Sequence, residues 1–350
     1  MDRKPQLIDL ALQGGGAHGA FTWGVLDRLL EEDSLRIDGI SGTSAGAMNA
    51  AVLAHGYIKD RADGARAALH EFWQRVSHAG RFSPLQRSPI DVLLGRWTLD
   101  NSPLFVAMDL MARVVSPYNM NPMGTNPLRE ILAESIDFSR LSWSSIKLFI
   151  TATNVHSGRG RVFRKDEITP DVLLASACLP TLYQAIEIDG EPYWDGGYTG
   201  NPTMTPLVRE CESLDTILVQ INPVEREGTP RSARDILDRL NEVTCNSVLI
   251  KELRMIALMK KAFAKNKALK KEATHPIDDE TERWAAMRIH RVESDIMLEL
   301  NYSSKLNAEW AFLTMLRDKG RGAADEFLAA HRGDLGRRST LDLNMLLNDI

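Results

Sequence analysis

The sequence predicts an α/β protein of three layers, in which helices cover both faces of a central, mostly parallel β-sheet and a helical region follows. Two observations predict the sheet. A strand-like run over 6–12 enters a glycine loop and then a helical stretch over 20–30, and a second run over 37–41 enters a glycine-flanked serine and another helix. Strands that lead straight into helices are expected to lie parallel. The third observation is a change after 228–230, beyond which the pattern is helical without a convincing strand.

The elements between these landmarks follow from periodicity and from turn residues. Helices are predicted over 47–57, 60–76, 126–134 and 170–177, strands over 146–154 and 216–222, and a hairpin around Asp189-Gly190. The segment 81–123 contains several prolines among Leu, Met, Phe and Trp residues, which is typical of a lid-like insertion of short helices with much apolar surface. We therefore predict an α/β domain over 6–228 and a C-terminal helical region of unassigned role over 229–350.

Composition excludes several classes of protein. The chain has 350 residues, 44% of them hydrophobic, and its net charge of −5 lacks the basic excess that a nucleic-acid binder needs. Cys178, Cys211 and Cys245 are far apart and offer neither a disulfide framework nor a metal-binding pair, so we expect no metal and no cofactor. The first residues lack a signal-peptide pattern, and no apolar run is long enough to span a membrane. A cytoplasmic protein is expected, with any membrane contact peripheral.

The segment Gly42-Thr43-Ser44-Ala45-Gly46 has the pattern of a nucleophile elbow. In such a turn a serine sits between a strand and a helix in a strained conformation, which exposes its hydroxyl group. Glycines flank the serine because side chains at those positions would collide with the neighbouring strand and helix. Ser44 is therefore a candidate nucleophile.

The glycine loop Gly14-Gly15-Gly16-Ala17-His18-Gly19 has two possible uses. Gly14, Gly16 and Gly19 satisfy the dinucleotide-binding pattern, but Asp38 precedes the apolar part of its strand, whereas a ribose-binding acid belongs at the carboxyl end of the strand. The other use is an oxyanion hole, since backbone N–H groups at a helix N-terminus favour negative charge. Parallel strands place this loop and the elbow at the same edge of the sheet, which favours acyl transfer.

A serine nucleophile needs a base, and Asp195-Gly196-Gly197 is a candidate for presenting one. The two glycines after Asp195 indicate a constrained loop that follows a strand-like segment. An ordinary turn aspartate has the same local pattern, so the triplet alone does not decide between the two.

Taken together, these motifs resemble the patatin-like phospholipase family. The resemblance is carried by the glycine loop 14–19, by Gly42-Thr43-Ser44-Ala45-Gly46, by Ala175-Ser176-Ala177-Cys178-Leu179-Pro180 and by Asp195-Gly196-Gly197, and it covers roughly 6–222. It implies a patatin-like fold and a Ser44–Asp195 dyad. It also implies an oxyanion hole at Gly14, Gly15 and Gly16, and hydrolysis of phospholipids or related acyl esters through an acyl-enzyme. A dry site should then raise the basicity of Asp195.

The chain departs from the family pattern at His18, where the glycine loop often carries Arg or Lys. A histidine supplies a positive charge near the oxyanion only when it is protonated. Alternatively, His18 caps the following helix or packs against it. The motif glycines Gly19, Gly42, Gly46, Gly196 and Gly197 match the family and support the site.

Three other interpretations remain open at this point. A Ser-His-Asp esterase would recruit a histidine after the acid, and His275, His290 and His331 qualify by order. A nucleotide-binding protein would use the glycine loop. A scaffold with a vestigial site would use the C-terminal helices to bind a partner.

In that C-terminal region, the basic stretch Lys251 to Lys271 carries an apolar stripe. The stripe either lies on a membrane surface or packs on the core. A second amphipathic stretch is predicted around Trp284 to Leu300. These helices could cover the site, form a homo-oligomer or hold a partner.

Overall fold

The computed structural model describes residues 5–81, 83, 85–269 and 279–347. Within these residues the strands are β1 Gln6–Leu12, β2 Leu35–Gly42, β3 Lys147–Asn154, β4 Gly160–Arg164, β5 Ile186–Ile188, β6 Glu191–Asp195, β7 Asp215–Val219 and β8 Arg288–Val292. The α-helices are α1 Gly19–Leu29, α2 Ala45–Gly80, α3 Pro89–Leu93, α4 Pro103–Ala112, α5 Pro117–Met120, α6 Leu128–Ser135, α7 Phe138–Leu141, α8 Pro170–Ser176, α9 Thr205–Glu210, α10 Ala233–Leu269, α11 Asp279–Ala286 and α12 Trp310–His331.

All eight strands belong to one sheet, in the order β5-β6-β3-β2-β1-β7-β8, with β4 paired to β3. The neighbouring strands β3, β2, β1, β7 and β8 pair in parallel. The pairs β3–β4, β3–β6 and β5–β6 are antiparallel. The predicted mostly parallel sheet is therefore confirmed. The last residues of β1 and β2, Leu12 and Gly42, lie opposite each other. The glycine loop and the serine turn consequently leave the sheet at the same edge.

Alternation along each strand divides the core between the two faces of the sheet. In β1, Leu10 and Leu12 join a large cluster beneath α1, α2, α6, α8 and α12, whereas Ala11 joins a second cluster beneath α9, α10 and α11. Successive strand residues point to opposite faces, so one short strand serves both clusters. The α/β/α layering predicted from the sequence is confirmed.

The inserted segment consists of short helices, as its prolines predict. α3, α4 and α5 each begin with a proline that follows a serine at the N-cap position. A proline is favourable there because its missing N–H group would have no partner in the first helical turn. Phe82 and Pro84, which belong to the predicted segment, lie outside the described residues.

The region after residue 228 is mainly helical, but the prediction that it lacks a strand is wrong. β8 pairs in parallel with β7 and extends the sheet, and α12 packs in the large cluster through Phe312, Leu313 and Leu316. The amphipathic pattern predicted over 284–300 is thus divided between α11, β8 and a short turn of 3₁₀ helix. The boundary near residue 228 stays a prediction, and the chain beyond it is built into the same core.

The basic stretch predicted from Lys251 onwards lies in α10. Leu253, Ile256 and Ala257, which belong to its apolar stripe, are buried in the second cluster. These three residues of the stripe therefore pack on the core. Lys270 and Lys271 lie outside the described residues. No described helix combines the length and the apolar character that crossing a bilayer requires.

Candidate active site

Ser44 occupies a strained turn between β2 and α2. Its backbone angles are φ 54° and ψ −123°, a combination that L-residues rarely adopt. The turn is held by a hydrogen bond of 2.9 Å from the Ser44 N–H group to the Ser176 hydroxyl oxygen, and Ser176 in turn donates to the Thr151 carbonyl. The predicted elbow is therefore present as a backbone conformation, and the Ala175–Pro180 motif supplies one of its supports.

Gly46 is required because the elbow presses α2 against β1. A Cβ atom at this position would lie 2.3 Å from the Leu12 carbonyl oxygen, which is backbone and cannot easily move. We expect Gly46→Ala to lower the free energy of unfolding by about 3 kcal/mol or more, because the helix must shift away from the sheet.

Gly322→Ala is a matched control for Gly46→Ala. Gly322 lies in α12, and a Cβ atom there would meet nothing within 4 Å. This substitution should stabilise the protein by about 0.5–1 kcal/mol through helix propensity. Urea unfolding of both variants checks the pair, and equal effects would contradict the close packing at Gly46.

The glycine loop lies beside Ser44. A Cβ atom on Gly14 would be 2.6 Å from the Ser44 Cβ atom, so only a glycine permits this approach. The Gly14 N–H group, however, donates to the Asn201 side-chain oxygen at 2.7 Å. Gly14 therefore does not fit its predicted role as an oxyanion donor, since its only donor is already used. No acceptor among the described residues takes the Gly15 and Gly16 N–H groups.

Asp195 ends β6 and faces the same space as Ser44. Its carboxylate accepts the Gly197 N–H group at 2.7 Å, and the Ser44 side chain is near enough to lower its pKa. Burial raises the pKa of Asp195 to about 6, although these two neighbours and the charge of Lys305 act in the opposite direction. The Asp195 N–H group donates to the Cys178 carbonyl at 2.8 Å, which ties the carboxylate to the Ala175–Pro180 motif.

A cavity of about 370 Å³ opens over these groups. Ser44, Asp195, Gly197 and the glycines 14–16 contribute to its wall. Most of the remaining wall is apolar and comes from α2, α6 and the chain around Leu182, including Phe72, Trp73, Val76, Leu128, Ile131 and Leu179. A mostly apolar cavity with a few convergent polar groups is typical of a site for a small, largely apolar ligand.

His18 does not face this cavity. It is buried, its Nε2 atom lies 2.8 Å from the Ser304 hydroxyl oxygen, and its ring contacts Phe312 edge-on. Burial, together with the charge of Lys305, holds the pKa of His18 well below its usual value. The packing interpretation of His18 therefore fits the structure, and a neutral ring supplies no charge to the site.

The histidines that a triad would need are elsewhere. His290 lies in β8, fully buried, with Nε2 3.1 Å from Asp215, and His331 pairs with Asp334 at the end of α12. None of the histidines that the structure describes lines the cavity, and His275 lies outside the described residues. The triad interpretation receives no support from His290 or His331.

The nucleotide-binding interpretation fails for a similar geometric reason. Asp38 accepts the N–H group of Ser213 and pairs with Lys147 at 3.2 Å. It therefore lies inside β2 and not beyond the carboxyl end of the strand, where the glycine loop is. A ribose-binding acid would have to be at the carboxyl end.

Sequence reasoning missed several polar residues of the site. Asn201, Asn241, Tyr302 and Lys305 line the cavity, and the last three come from the C-terminal region. No local motif surrounds them.

Comparisons with known proteins identify a family for this chain. The sequence model of the family described as "Patatin-like phospholipase" matches residues 10–208. A search of curated proteins finds no match. Among solved structures, VipD from Legionella pneumophila has 15% identity and a TM-score of 0.39, over 94% of this chain and 67% of its own.

A second structure is ExoU in complex with SpcU, from the type III secretion system of Pseudomonas aeruginosa. It has 17% identity and a TM-score of 0.24, over 99% of this chain and 88% of its own. At these values neither structure bears on substrate or partner. The family match spans more than half of the chain and contains the elbow, the glycine loop and Asp195. The protein belongs to the patatin-like phospholipase family, and its general activity is that of a lipid acyl hydrolase.

Proposed function

We propose that the protein hydrolyses acyl esters, of phospholipids or related lipids, with Ser44 as nucleophile and Asp195 as its base. The observation that carries the proposal is that Ser44, in its strained turn, and the buried Asp195 carboxylate share the wall of one mostly apolar cavity. A carboxylate with a raised pKa is a better proton acceptor than an ordinary aspartate. The cavity suits the hydrocarbon part of an acyl chain.

The proposed reaction has two steps. The Ser44 oxygen attacks the ester carbonyl carbon while its proton passes to Asp195, and the carbonyl electron pair moves onto oxygen. Collapse of this tetrahedral intermediate expels the alcohol, which takes the proton from Asp195, and leaves an acyl-enzyme. Water then repeats the sequence, with Asp195 again accepting a proton, and releases the fatty acid.

The N–H groups of Gly15 and Gly16 are our candidates for stabilising the oxyanion. Both glycines line the cavity beside Ser44, and their N–H groups lack an acceptor among the described residues. Gly15 precedes a short 3₁₀ helix that leads into α1, so the helix N-terminus adds a favourable field. This arrangement supports acyl transfer more than phosphate binding, because the loop lies directly against the nucleophile.

The pH dependence of turnover tests the role of Asp195. The base must be ionised, so kcat/KM for a neutral ester such as p-nitrophenyl butyrate should rise with pH through about 6 and then level off. Below this value, kcat/KM should fall about tenfold per pH unit. A profile of kcat/KM from about pH 4.5 to 8 checks this prediction. The midpoint of the acidic limb should stay near pH 6 whichever buffer is used. A limb near pH 4 would contradict a desolvated base.

A panel of p-nitrophenyl esters and phosphatidylcholine vesicles tests the substrate class, with rates compared across acyl-chain length. Hydrolysis of at least one acyl ester is expected, and inertness towards the whole panel would count against the proposal.

Peripheral membrane contact and a homo-oligomer formed through the C-terminal helices stay predictions. Vesicle sedimentation and light scattering would test them.

A further inference from the structure

Lys305 lies in a short 3₁₀ turn, Ser303–Leu306, that the C-terminal region places against the glycine loop. The approach is between backbones: a Cβ atom on Gly16 would be 2.4 Å from the Lys305 carbonyl oxygen. The neighbouring Ser304 hydroxyl is bound to His18, and Ser303 accepts the Leu99 N–H group at 3.0 Å. The turn is therefore fixed at the two residues that precede Lys305.

The ammonium group of Lys305 is held by amide oxygens and not by a carboxylate. Nζ donates to the side-chain oxygens of Asn222 at 2.9 Å and Asn241 at 2.7 Å. Neither amide neutralises the charge, and no described carboxylate forms an ion pair with Lys305. An ammonium group has three donors, so two amide bonds leave one donor free.

The charge acts on the active site. Lys305 lines the cavity together with Ser44, Asp195 and Gly16, and its field lowers the pKa of Asp195 against the effect of burial. Asn222 also donates to the Gly14 carbonyl at 2.9 Å, so one side chain joins the ammonium group to the glycine loop. Positive charge in a water-poor cavity stabilises negative charge that develops there.

We propose that Lys305 is the cation of this active site and stabilises the oxyanion that forms at the glycine loop. His18 is neutral and instead anchors the Ser303–Leu306 turn through Ser304. The positive charge in the cavity thus comes from a segment almost 290 residues after the glycine loop. Lys305 acts through its charge, without taking part in bond making or breaking. The C-terminal region, which carries Lys305, thereby becomes part of the active site.

The test uses the full-length chain and p-nitrophenyl butyrate, a neutral ester without a phosphate group. This inference rests on the proposed function. Lys305→Met and Lys305→Gln should each lower kcat about 10–100-fold with little change in KM. Both should move the acidic limb of the kcat/KM profile to higher pH, because Asp195 loses a favourable charge. Lys305→Arg should recover most of the lost rate.

Lys319→Met is the matched control, since Lys319 is exposed on α12, and it should behave as wild type. Circular dichroism establishes that each variant is folded, and Lys305→Gln, which keeps polar contacts with the two asparagines, decides the matter if Lys305→Met unfolds. Wild-type kcat and pH profile in Lys305→Gln would overturn the inference. So would a loss confined to the KM of phospholipid substrates, which would indicate head-group binding. Absence of activity in the wild type would instead refute the proposed function.

Discussion

Replacing Ser44 by alanine is expected to lower kcat for ester hydrolysis by roughly 10⁵–10⁶-fold, as loss of the nucleophile does in other serine hydrolases. Among the described residues that carry a hydroxyl group, Ser44 alone has a positive φ, and it shares the cavity wall with Asp195. The alanine methyl group fits the site, so the melting temperature should change little. Steady-state kinetics on p-nitrophenyl butyrate measures the effect.

Ser41→Ala is the control for this substitution. Ser41 lies near the end of β2, just before the turn that holds Ser44, and its hydroxyl donates to the Thr203 carbonyl at 2.6 Å instead of lining the cavity. It should keep turnover close to wild type while losing some stability. Residual activity in Ser44→Ala comparable to that of Ser41→Ala would mean that the elbow does not carry the chemistry.

Asp195→Asn is expected to lower kcat about 10²–10⁴-fold, the usual contribution of a general base. Asparagine has nearly the same shape, and its side-chain oxygen still accepts the Gly197 N–H group, so the fold should survive. The amide cannot take the proton of Ser44. The low-pH limb of the kcat/KM profile should disappear together with the rate.

Asp189→Asn is a control on the same hairpin. Asp189 is exposed at the turn, with φ 54°, a conformation that asparagine tolerates well. Its turnover and pH profile should match the wild type. If Asp195→Asn kept its turnover while His290→Ala lost it without unfolding, a histidine would have to be the base.

The site could be predicted largely because its main motifs are local. Gly42 and Gly46 flank Ser44, and two glycines follow Asp195, since each turn brings backbone atoms into contact over a few residues. The Asp189-Gly190 hairpin was predictable for the same reason: both residues have positive φ, which Asp and Gly accept more readily than most residues.

The missed strand β8 shows where local signals end. Arg288 and His290 give the segment a polar pattern that does not resemble a buried strand. In the fold both side chains bind Asp215 of β7, which lies more than 70 residues earlier in the chain. The strand is stabilised by this distant partner and by pairing with β7, and neither is visible in the five residues themselves.

The candidate oxyanion donors and the proposed role of Lys305 could not be predicted from the sequence, for a related reason. Whether the Gly14 N–H group is free depends on Asn201, which is 187 residues away. The environment of His18 depends on Ser304 in the same manner. Local motifs identify the turns of the backbone. The residues that form hydrogen bonds with the polar groups of those turns come from distant segments that have no motif.

The most direct measurement of the central claim is the mapping of a covalent adduct. The protein is treated with an alkyl fluorophosphonate at about pH 8, digested with trypsin and analysed by tandem mass spectrometry. We expect one modified peptide, between Arg36 and Lys59, with fragment ions that place the adduct on Ser44 and not on Ser41. Labelling should be lost in Ser44→Ala. Inhibition of ester hydrolysis with the adduct on any other residue would contradict Ser44 as the nucleophile.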